Sequence, residues 1–478
     1  MVAVPQNAPR GVPKVRPRPG VDLISTLIDD GAYGAALTLL APRLRPDAGD
    51  PVALDQAATC HWQLEQGAQA LAYLDRLVTG WPQLGAPCVK LASYAAGMGQ
   101  VPRAKRALDR AFARGVRSAQ AMSLLNRLDP IARDSAMARR LKAMARDTSL
   151  PKLDQAIARN TLGKIEERAG RYRAAFRWFE SAKRAYGKAY HPRQISALVA
   201  GQILKYHPIT RHGPEASGPR LLFITGMPRS GTTVLEHSLS RHSQIRALGE
   251  SPALSRTVMA LRRQAGQPGA WDWFDRVHTL DRAAFRQLFL SFLPAEARED
   301  DRLLVSKMPL DCFDLGVAAW LWPDARVVHL DRHPMDVGLS NFTTLFHQGH
   351  DFSRRLDWAG HMIRAVDRSI TDYAQKLGPM IRRQSYSALV AEPEAQLRAI
   401  LDHANLPWEE ACLTPQSSDR PVQTASMGQL APGFTSQGID RWQRYDGHLD
   451  PLLRALDPDW VAAFEARDRG VQRQRATR

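Results

Sequence analysis

The sequence predicts an α/β fold, a P-loop-like and mostly parallel sheet with flanking helices, preceded by an all-helical repeat domain. Two observations lead to this class. At residues 221–239 a short apolar run, a turn rich in glycine and a helix-compatible segment follow one another, as strand, turn and helix do in parallel sheets. The first two hundred residues instead contain a repeated motif of glycine and alanine within segments that have a helical pattern. A ligand site is therefore expected in the second half of the chain.

Length and charge limit the classes of protein. A chain of 478 residues is long enough for two or three domains with their own cores. Its 44% apolar and 24% charged residues are typical of a soluble globular protein. The formal net charge of +17 suits nucleic acid, an anionic membrane or a polyanionic cofactor. Because the positive charges are scattered and form no block, a nucleic-acid partner is disfavoured.

The cysteines, the apolar runs and the terminal segments indicate the cellular compartment of the protein. Cys60, Cys88, Cys312 and Cys412 form no CxxC pair, which argues against a zinc site or a disulfide scaffold and for a reducing compartment. The apolar runs are far shorter than the roughly 20 residues of a membrane helix, and the N-terminus has no apolar core for a signal peptide. We expect a cytoplasmic protein without a transmembrane segment, with basic tails at 1–20 and 468–478.

Residues 21–206 have a helical pattern with an internal repeat. The repeated motif begins at Gly31, Gly67, Gly99 and Gly170, in steps of 36, 32 and 71 residues. A period of about 34 resembles the tetratricopeptide repeat, in which helical hairpins stack into a solenoid. The repeat predicts either a docking platform for a protein partner or helices that pack on the second domain or on a second subunit, as in a homodimer. Residues 207–218 are a predicted linker.

The turn after the first strand has the composition of a phosphate loop. Backbone N–H groups converge in such a turn, and the following helix adds its positive end, so an anion binds there. Gly226 and Gly231 meet the spacing of G-x-x-x-x-G-K-[ST], but Thr232 stands in place of the lysine. The absent lysine disfavours a nucleotide kinase or other P-loop phosphotransferase, which stays the alternative enzyme class. The loop donors suited to a single 5′-phosphate-linked group are Arg229, Ser230, Thr232 and Thr233.

Two segments resemble the signature of sulfotransferases. Pro228-Arg229-Ser230-Gly231-Thr232-Thr233 is similar to the 5′-phosphosulfate loop of that family. The second half of the signature is an arginine after a later strand and a serine eight residues on, which hold the 3′-phosphate of 3′-phosphoadenosine 5′-phosphosulfate (PAPS). Arg332 and Ser340 stand in this pattern. The resemblance implies a PAPS-dependent domain at 219–467, in a tetratricopeptide-repeat sulfotransferase of bacterial type. No metal ion is expected, because the transferred group carries less charge than a phosphoryl group and the loop offsets the charge that develops.

Sulfuryl transfer requires a base for the acceptor hydroxyl and a cation for the leaving oxygen. Glu250 follows a glycine at the end of an apolar step, and tyrosylprotein sulfotransferases similarly carry a catalytic glutamate in a Gly-Glu step. Its alternative role is to shape the start of the next helix, with Ser251 as N-cap. Lys307 ends another strand and matches the catalytic lysine of the family in a Lys-x-Pro step. Its alternative is a surface lysine at a strand end.

The remaining predicted ligands surround the nucleotide. Arg332 can grip a phosphate with two parallel N–H bonds, and its alternative is an ion pair with Asp336. By resemblance Tyr386 contacts the adenine side, although Ser387 and Ala388 replace the acidic residues that follow this tyrosine in the family. Also by resemblance, Ser426 donates to the sulfuryl oxygens and Arg441 replaces a cofactor-binding lysine. His329 is predicted to be a core histidine.

These residues predict a sulfotransferase that moves a sulfuryl group from PAPS to an acceptor hydroxyl. The resemblance and the repeats favour a peptide tyrosine as acceptor. A carbohydrate, lipid or small-molecule hydroxyl stays open. A further class is a repeat scaffold that carries an inactive sulfotransferase-like domain.

Overall fold

The computed structural model describes residues 22–44, 50–209, 218–266, 270–346, 349–414, 434–445 and 447–476. These divide into two compact units after Asp147. In the first unit the helices are α1 (Leu23–Asp29), α2 (Tyr33–Leu40), α3 (Pro51–Gln63), α4 (Gly67–Gly80), α5 (Ala86–Gly97), α6 (Val101–Ala113), α7 (Ala119–Leu128) and α8 (Ala136–Arg146).

Small buried residues and left-handed turns build the hairpins of the first unit. On α6 the buried face consists of Ala104, Ala107, Leu108 and Ala111, so its partner helix can approach closely. Gly31 and Gly99 turn the chain at φ 77° and 71°, two residues before α2 and α6. In the second copy Glu65 has this role at φ 60°. The predicted register at Gly67 is therefore wrong by two residues, and the corrected repeat step is 34 residues.

The second unit contains a five-stranded parallel sheet among helices. In chain order its elements are α9 (Lys152–Arg168), α10 (Tyr172–Ala185), α11 (Pro192–Lys205), β1 (Leu221–Gly226), α12 (Thr232–Leu239), β2 (Ile245–Ala247), α13 (Ala253–Ala265), α14 (Arg282–Ser291), α15 (Ala295–Arg298), β3 (Leu303–Lys307), α16 (Leu315–Leu321), β4 (Arg326–Asp331), α17 (Pro334–Thr343), α18 (Leu356–Leu377), β5 (Ile381–Ser385), α19 (Tyr386–Ala391), α20 (Pro393–His403), α21 (Asp450–Leu456) and α22 (Pro458–Ala476).

The sheet order β2-β3-β1-β4-β5 places β1 in the centre. Ile224 pairs with Lys307 on one side and with Val328 on the other, both in parallel register. Leu221 and Phe223 pack into one apolar cluster and Leu222 and Ile224 into another. The strand is thus buried on both faces, and the predicted parallel sheet with flanking helices is confirmed. Because the strands are parallel, their carboxyl ends meet at one edge, where ligands of such sheets bind.

The boundary between the units differs from the predicted linker. Helices α9 and α10 belong to the second unit, where Phe176 stacks on Phe342 with ring centroids 5.3 Å apart. The Asn160 side chain donates to the Thr343 carbonyl at 3.1 Å. Aromatic packing and hydrogen bonds therefore join the last repeat hairpin to α17. The two compact units divide at Asp147. The linker predicted at 207–218, of which residues 210–217 lie outside the described part, stays a prediction.

Two smaller predictions concern single segments. The basic C-terminal segment predicted as a tail from 468 is helical to Ala476, since it consists mostly of helix-forming residues. His329 is buried, as predicted, with Nδ1 2.9 Å from Thr225 Oγ1, and burial lowers its pKa to about 4. Through the described ranges of the chain, no helix combines the length and the apolar character needed to cross a membrane.

Candidate active site

The loop between β1 and α12 is a tight turn at the carboxyl edge of the sheet. Arg229 and Gly231 adopt left-handed backbone conformations with φ of 74° and 108°. A Cβ atom on residue 231 would lie 2.5 Å from the Tyr386 ring. Glycine is required at this position because both the backbone conformation and the close approach exclude a side chain.

Replacing Gly231 by alanine tests this close approach. Gly231→Ala should destabilise the protein by about 3 kcal/mol, because left-handed strain and overpacking add. Gly266→Ala is the control: its φ is 65°, but a Cβ there meets no described atom within 4 Å, so only about 1 kcal/mol of strain is expected. Urea unfolding of both variants measures the difference. Equal losses would show that contact with Tyr386 carries no weight.

The polar atoms of the loop fit an anion. The Ser230 hydroxyl is buried and has no hydrogen-bond partner among the described residues. Thr232 begins α12 and is buried, whereas Thr233 is half-buried. Asn341 on α17 donates to the Pro228 carbonyl at 2.8 Å and so fixes the loop to that helix. A buried hydroxyl without a partner at a helix N-terminus is a donor available to a ligand.

Arg332 and Ser340, the predicted 3′-phosphate pair, meet the loop directly. The Arg332 Nη1 group donates to the Arg229 carbonyl at 3.1 Å. The Arg229 Nε group donates to the Ser340 hydroxyl at 3.3 Å. Burial, followed by the charges of Arg332 and Arg441, lowers the pKa of Arg229 to about 10. Positive charge is therefore concentrated where the loop, β4 and α17 meet, and an anion would relieve the repulsion.

Tyr386 lies at this junction, and its contact with the adenine side of the cofactor stays a prediction. Its ring covers Gly231 on one side and lies 4.7 Å from the Arg332 guanidinium carbon. The serines beside it are tied to Asp468 on α22: Ser385 donates at 2.6 Å and Ser387 at 2.5 Å. A carboxylate from a distant helix is thus the partner of Ser387.

Residues 434–445, here called the strap, cross the same junction. The Arg332 Nη2 group donates to the Gly438 carbonyl at 2.5 Å, and the Tyr386 hydroxyl donates to the Thr435 carbonyl at 3.1 Å. Asp336 accepts from the backbone N–H groups of strap residues 440 and 442 at 2.8 and 3.0 Å. Asp336 therefore anchors the strap, and Arg332 is bonded to carbonyls instead of to Asp336. The Arg332 Nε group is buried without a partner in the described chain.

Glu250 and Lys307 form a second pair at the same edge of the sheet. The Lys307 Nζ group donates to Glu250 Oε1 at 2.6 Å, and Glu236 Oε2 lies 3.9 Å away. Lys307 is buried at the end of β3, whereas the Glu250 side chain is 45% exposed. The lysine is therefore no surface residue, and the carboxylate that it contacts is open to a substrate.

The predictions for Arg441 and Ser426 have different outcomes. Arg441 lies against Glu167 on α9, with Nε 3.0 Å from Oε1, and its Nη2 group donates to Thr343 Oγ1 at 3.1 Å. The structure thus brings Arg441 near the loop but places its guanidinium on a carboxylate. Ser426 lies outside the described residues.

The model of the sulfotransferase family matches residues 219–410, which include the loop, Glu250, Lys307 and Arg332. Residues 219–410 are therefore similar to the sulfotransferase family.

Relatives of the domain are distant. The chain is 32% identical over 247 residues to an uncharacterized protein of Aquifex aeolicus, covering 50% of this chain and 32% of that protein. It is 27% identical over 226 residues to protein-tyrosine sulfotransferase 1 of Danio rerio, covering 43% of this chain and 61% of that protein. The chain thus spans less than two thirds of either relative. The sulfotransferase domain of a Synechococcus olefin synthase is 21% identical, with a TM-score of 0.37, covering 54% of this chain and 98% of that domain.

One pair of side chains beside the site was not predicted from the sequence. Glu167 and Lys164 lie one helical turn apart on α9, before the matched region, and their side chains pair at 3.1 Å. Nothing in their spacing indicates a ligand, because such pairs are common on exposed helices. As for metals, within the described segments no cluster of three His, Cys, Asp or Glu side chains could hold an ion. The expected absence of a metal stays a prediction.

Proposed function

We propose that this protein is a sulfotransferase that moves the sulfuryl group of PAPS to an acceptor hydroxyl. One observation carries the proposal: Arg332 at the end of β4 donates to the loop carbonyl of Arg229 at 3.1 Å, and Arg229 donates to Ser340 at 3.3 Å. Two predicted anion sites therefore adjoin, as one nucleotide with 5′ and 3′ anionic groups requires. The orphaned Ser230 hydroxyl and Arg332 Nε group are donors for those anions.

In this proposal the loop holds the 5′-phosphosulfate and Glu250 acts as the base. Its carboxylate takes the proton of the acceptor hydroxyl while the acceptor oxygen bonds to sulfur. The bond between sulfur and the 5′-phosphate oxygen breaks, and that oxygen leaves with the electron pair on 3′,5′-adenosine diphosphate. Lys307, 2.6 Å from Glu250, stabilises the charge that develops on the leaving oxygen. Ser426 and Arg441 remain sequence-based proposals for contacts to the sulfuryl group and the cofactor.

Ligand-dependent thermal stability separates this function from phosphotransfer. We expect 3′,5′-adenosine diphosphate to raise the thermal midpoint, since a ligand that binds only the folded state stabilises it. ATP with magnesium should have little effect, because Thr232 occupies the place of the phosphate-binding lysine. Protection by ATP with magnesium alone would instead establish a P-loop phosphotransferase.

The acceptor that we propose is a peptide tyrosine. It is supported by the similarity to a protein named as a protein-tyrosine sulfotransferase and by the helical hairpins of the first unit. Incubation with ³⁵S-labelled PAPS and a lysate of the source organism tests it: label should appear on protein and survive as tyrosine sulfate after alkaline hydrolysis. Label on carbohydrate, lipid or a small molecule would overturn the proposed acceptor. Nucleotide binding without any transfer would indicate an inactive domain on a repeat scaffold.

A cytoplasmic location is part of the proposal. Cys60, Cys88, Cys312 and Cys412 are free thiols, and each is buried. Free thiols persist where cellular reductants keep them reduced. Fractionation of the source cells should recover the protein with cytoplasmic enzymes.

A further inference from the structure

Glu167 lies outside the matched family region and is bonded to the strap. Its Oε1 atom accepts from Arg441 Nε at 3.0 Å and from the Tyr445 hydroxyl at 2.6 Å. Its Oε2 atom accepts from Lys164 Nζ at 3.1 Å. The side chain is only 17% exposed. Burial alone raises the pKa of Glu167, but Lys164 and Arg441 outweigh it and lower that pKa to about 2. The carboxylate is therefore ionised at every working pH.

The donors of Glu167 define the end of the strap. Arg441 and Tyr445 lie on the last described strap residues, 441–445, and Arg441 also donates to Thr343 on α17. Thr343 follows Ser340, the partner of Arg229, by one helical turn. Earlier in the strap, the Gly438 carbonyl lies on Arg332. Glu167 thus joins α9 to the segment that covers the two arginines of the nucleotide site.

The contact between Glu167 and Arg441 lies where three positively charged arginines come together. Arg229, Arg332 and Arg441 are close enough that the latter two lower the pKa of Arg229. Three cations so placed repel one another, and a mobile arginine would turn toward solvent. The Nε and Nη2 groups of Arg441 both donate to the Oε1 atom of Glu167, and these charge-assisted hydrogen bonds hold that edge of the guanidinium on α9.

We propose that Glu167 is a positioning residue for nucleotide binding, which holds Arg441 and the strap beside Arg229 and Arg332. The inference rests on the proposed function. On this inference the α9–α10 hairpin, which continues the helical repeat, is a working part of the sulfotransferase site. The role is indirect, because Glu167 acts through Arg441 and does not itself contact the anion.

A double-mutant cycle measures this coupling. Glu167→Gln and Arg441→Gln should each weaken binding of 3′,5′-adenosine diphosphate about tenfold in calorimetry, and the double variant should lose no more than either single variant. Glu167→Asp should recover part of the affinity, since it restores the charge. In steady-state kinetics the KM for PAPS should rise while kcat at saturation changes little. Amide exchange of residues 434–445 in nucleotide-free Glu167→Gln should be faster than in the wild type.

Glu166→Gln is the matched control. Glu166 is the neighbouring buried carboxylate on α9, and it pairs with Arg171 at 3.0 Å. Its replacement should leave nucleotide affinity within twofold even where it lowers the thermal midpoint. The positioning role alone is overturned if the wild type binds 3′,5′-adenosine diphosphate and Glu167→Gln binds it with the same affinity. Additive losses of affinity in the double variant would overturn it as well. A wild type that binds no 3′,5′-adenosine diphosphate would overturn the proposed function and this inference with it.

Discussion

Replacing Glu250 by glutamine is expected to lower kcat for sulfuryl transfer by a factor of about 10²–10⁴, the contribution typical of a general base. The carboxylate is 45% exposed and 2.6 Å from Lys307, so an acceptor can reach it, and Lys307 is the residue proposed to face the leaving oxygen. Glutamine keeps an oxygen acceptor for Lys307 but cannot take up a proton. Transfer of ³⁵S from PAPS to a tyrosine peptide, followed over a range of PAPS concentrations, gives kcat and KM separately.

The expected loss is confined to chemistry. Binding of 3′,5′-adenosine diphosphate by Glu250→Gln should stay within twofold of wild type, because the predicted phosphate ligands lie on other elements. Glu394→Gln is the control: Glu394 likewise pairs with a cation, Arg398, at 2.7 Å, but on α20. Full activity in Glu250→Gln would mean that Glu250 only shapes the start of α13. Activity already absent in the wild type, with normal nucleotide binding, would favour the inactive-scaffold class.

Local sequence patterns were sufficient to predict the sheet and the loop. Leu221 to Gly226 is an apolar run buried on both faces, and a run of this length before a glycine turn has few other structures open to it. The placement of Arg332 at the carboxyl edge followed in the same way, since it comes directly after β4. Predictions of this kind depend on neighbours in sequence, and the structure confirmed the parallel sheet.

The contacts that complete the site join residues far apart in sequence. Glu167 and Arg441 are 274 positions apart, and Ser387 and Asp468 are 81 apart. No periodicity relates such pairs, because their approach depends on how hairpins and helices pack. The unit boundary at Asp147 escaped prediction for a similar reason: the α9–α10 hairpin has the repeat pattern, but aromatic residues such as Phe176 pack it against α17.

Arg332→Ala should reduce the affinity for 3′,5′-adenosine diphosphate about 100-fold and leave the affinity for 5′-AMP nearly unchanged. A charge-assisted hydrogen bond is worth about 1.5–3 kcal/mol, and about 2.8 kcal/mol corresponds to a factor of 100. Only the first nucleotide has the 3′-phosphate that Arg332 is proposed to bind. Calorimetric titration with both nucleotides measures the two affinities. Arg326→Ala, at the amino end of the same strand β4, is the control and should bind both as the wild type does.

The hydrogen bonds that Arg332 makes in this structure allow the two affinities to distinguish between two roles of this residue. Its Nη1 and Nη2 groups donate to the carbonyls of Arg229 and Gly438, so it already ties the strap to the loop between β1 and α12. If that tie were its only role, removing it would loosen the loop and weaken AMP and 3′,5′-adenosine diphosphate equally. If it binds the 3′-phosphate, the phosphate must engage the buried Nε group or displace the Gly438 carbonyl. Selective loss of the 3′-phosphorylated nucleotide therefore separates a ligand from a tether. Equal loss would leave the proposed PAPS site without its 3′ half.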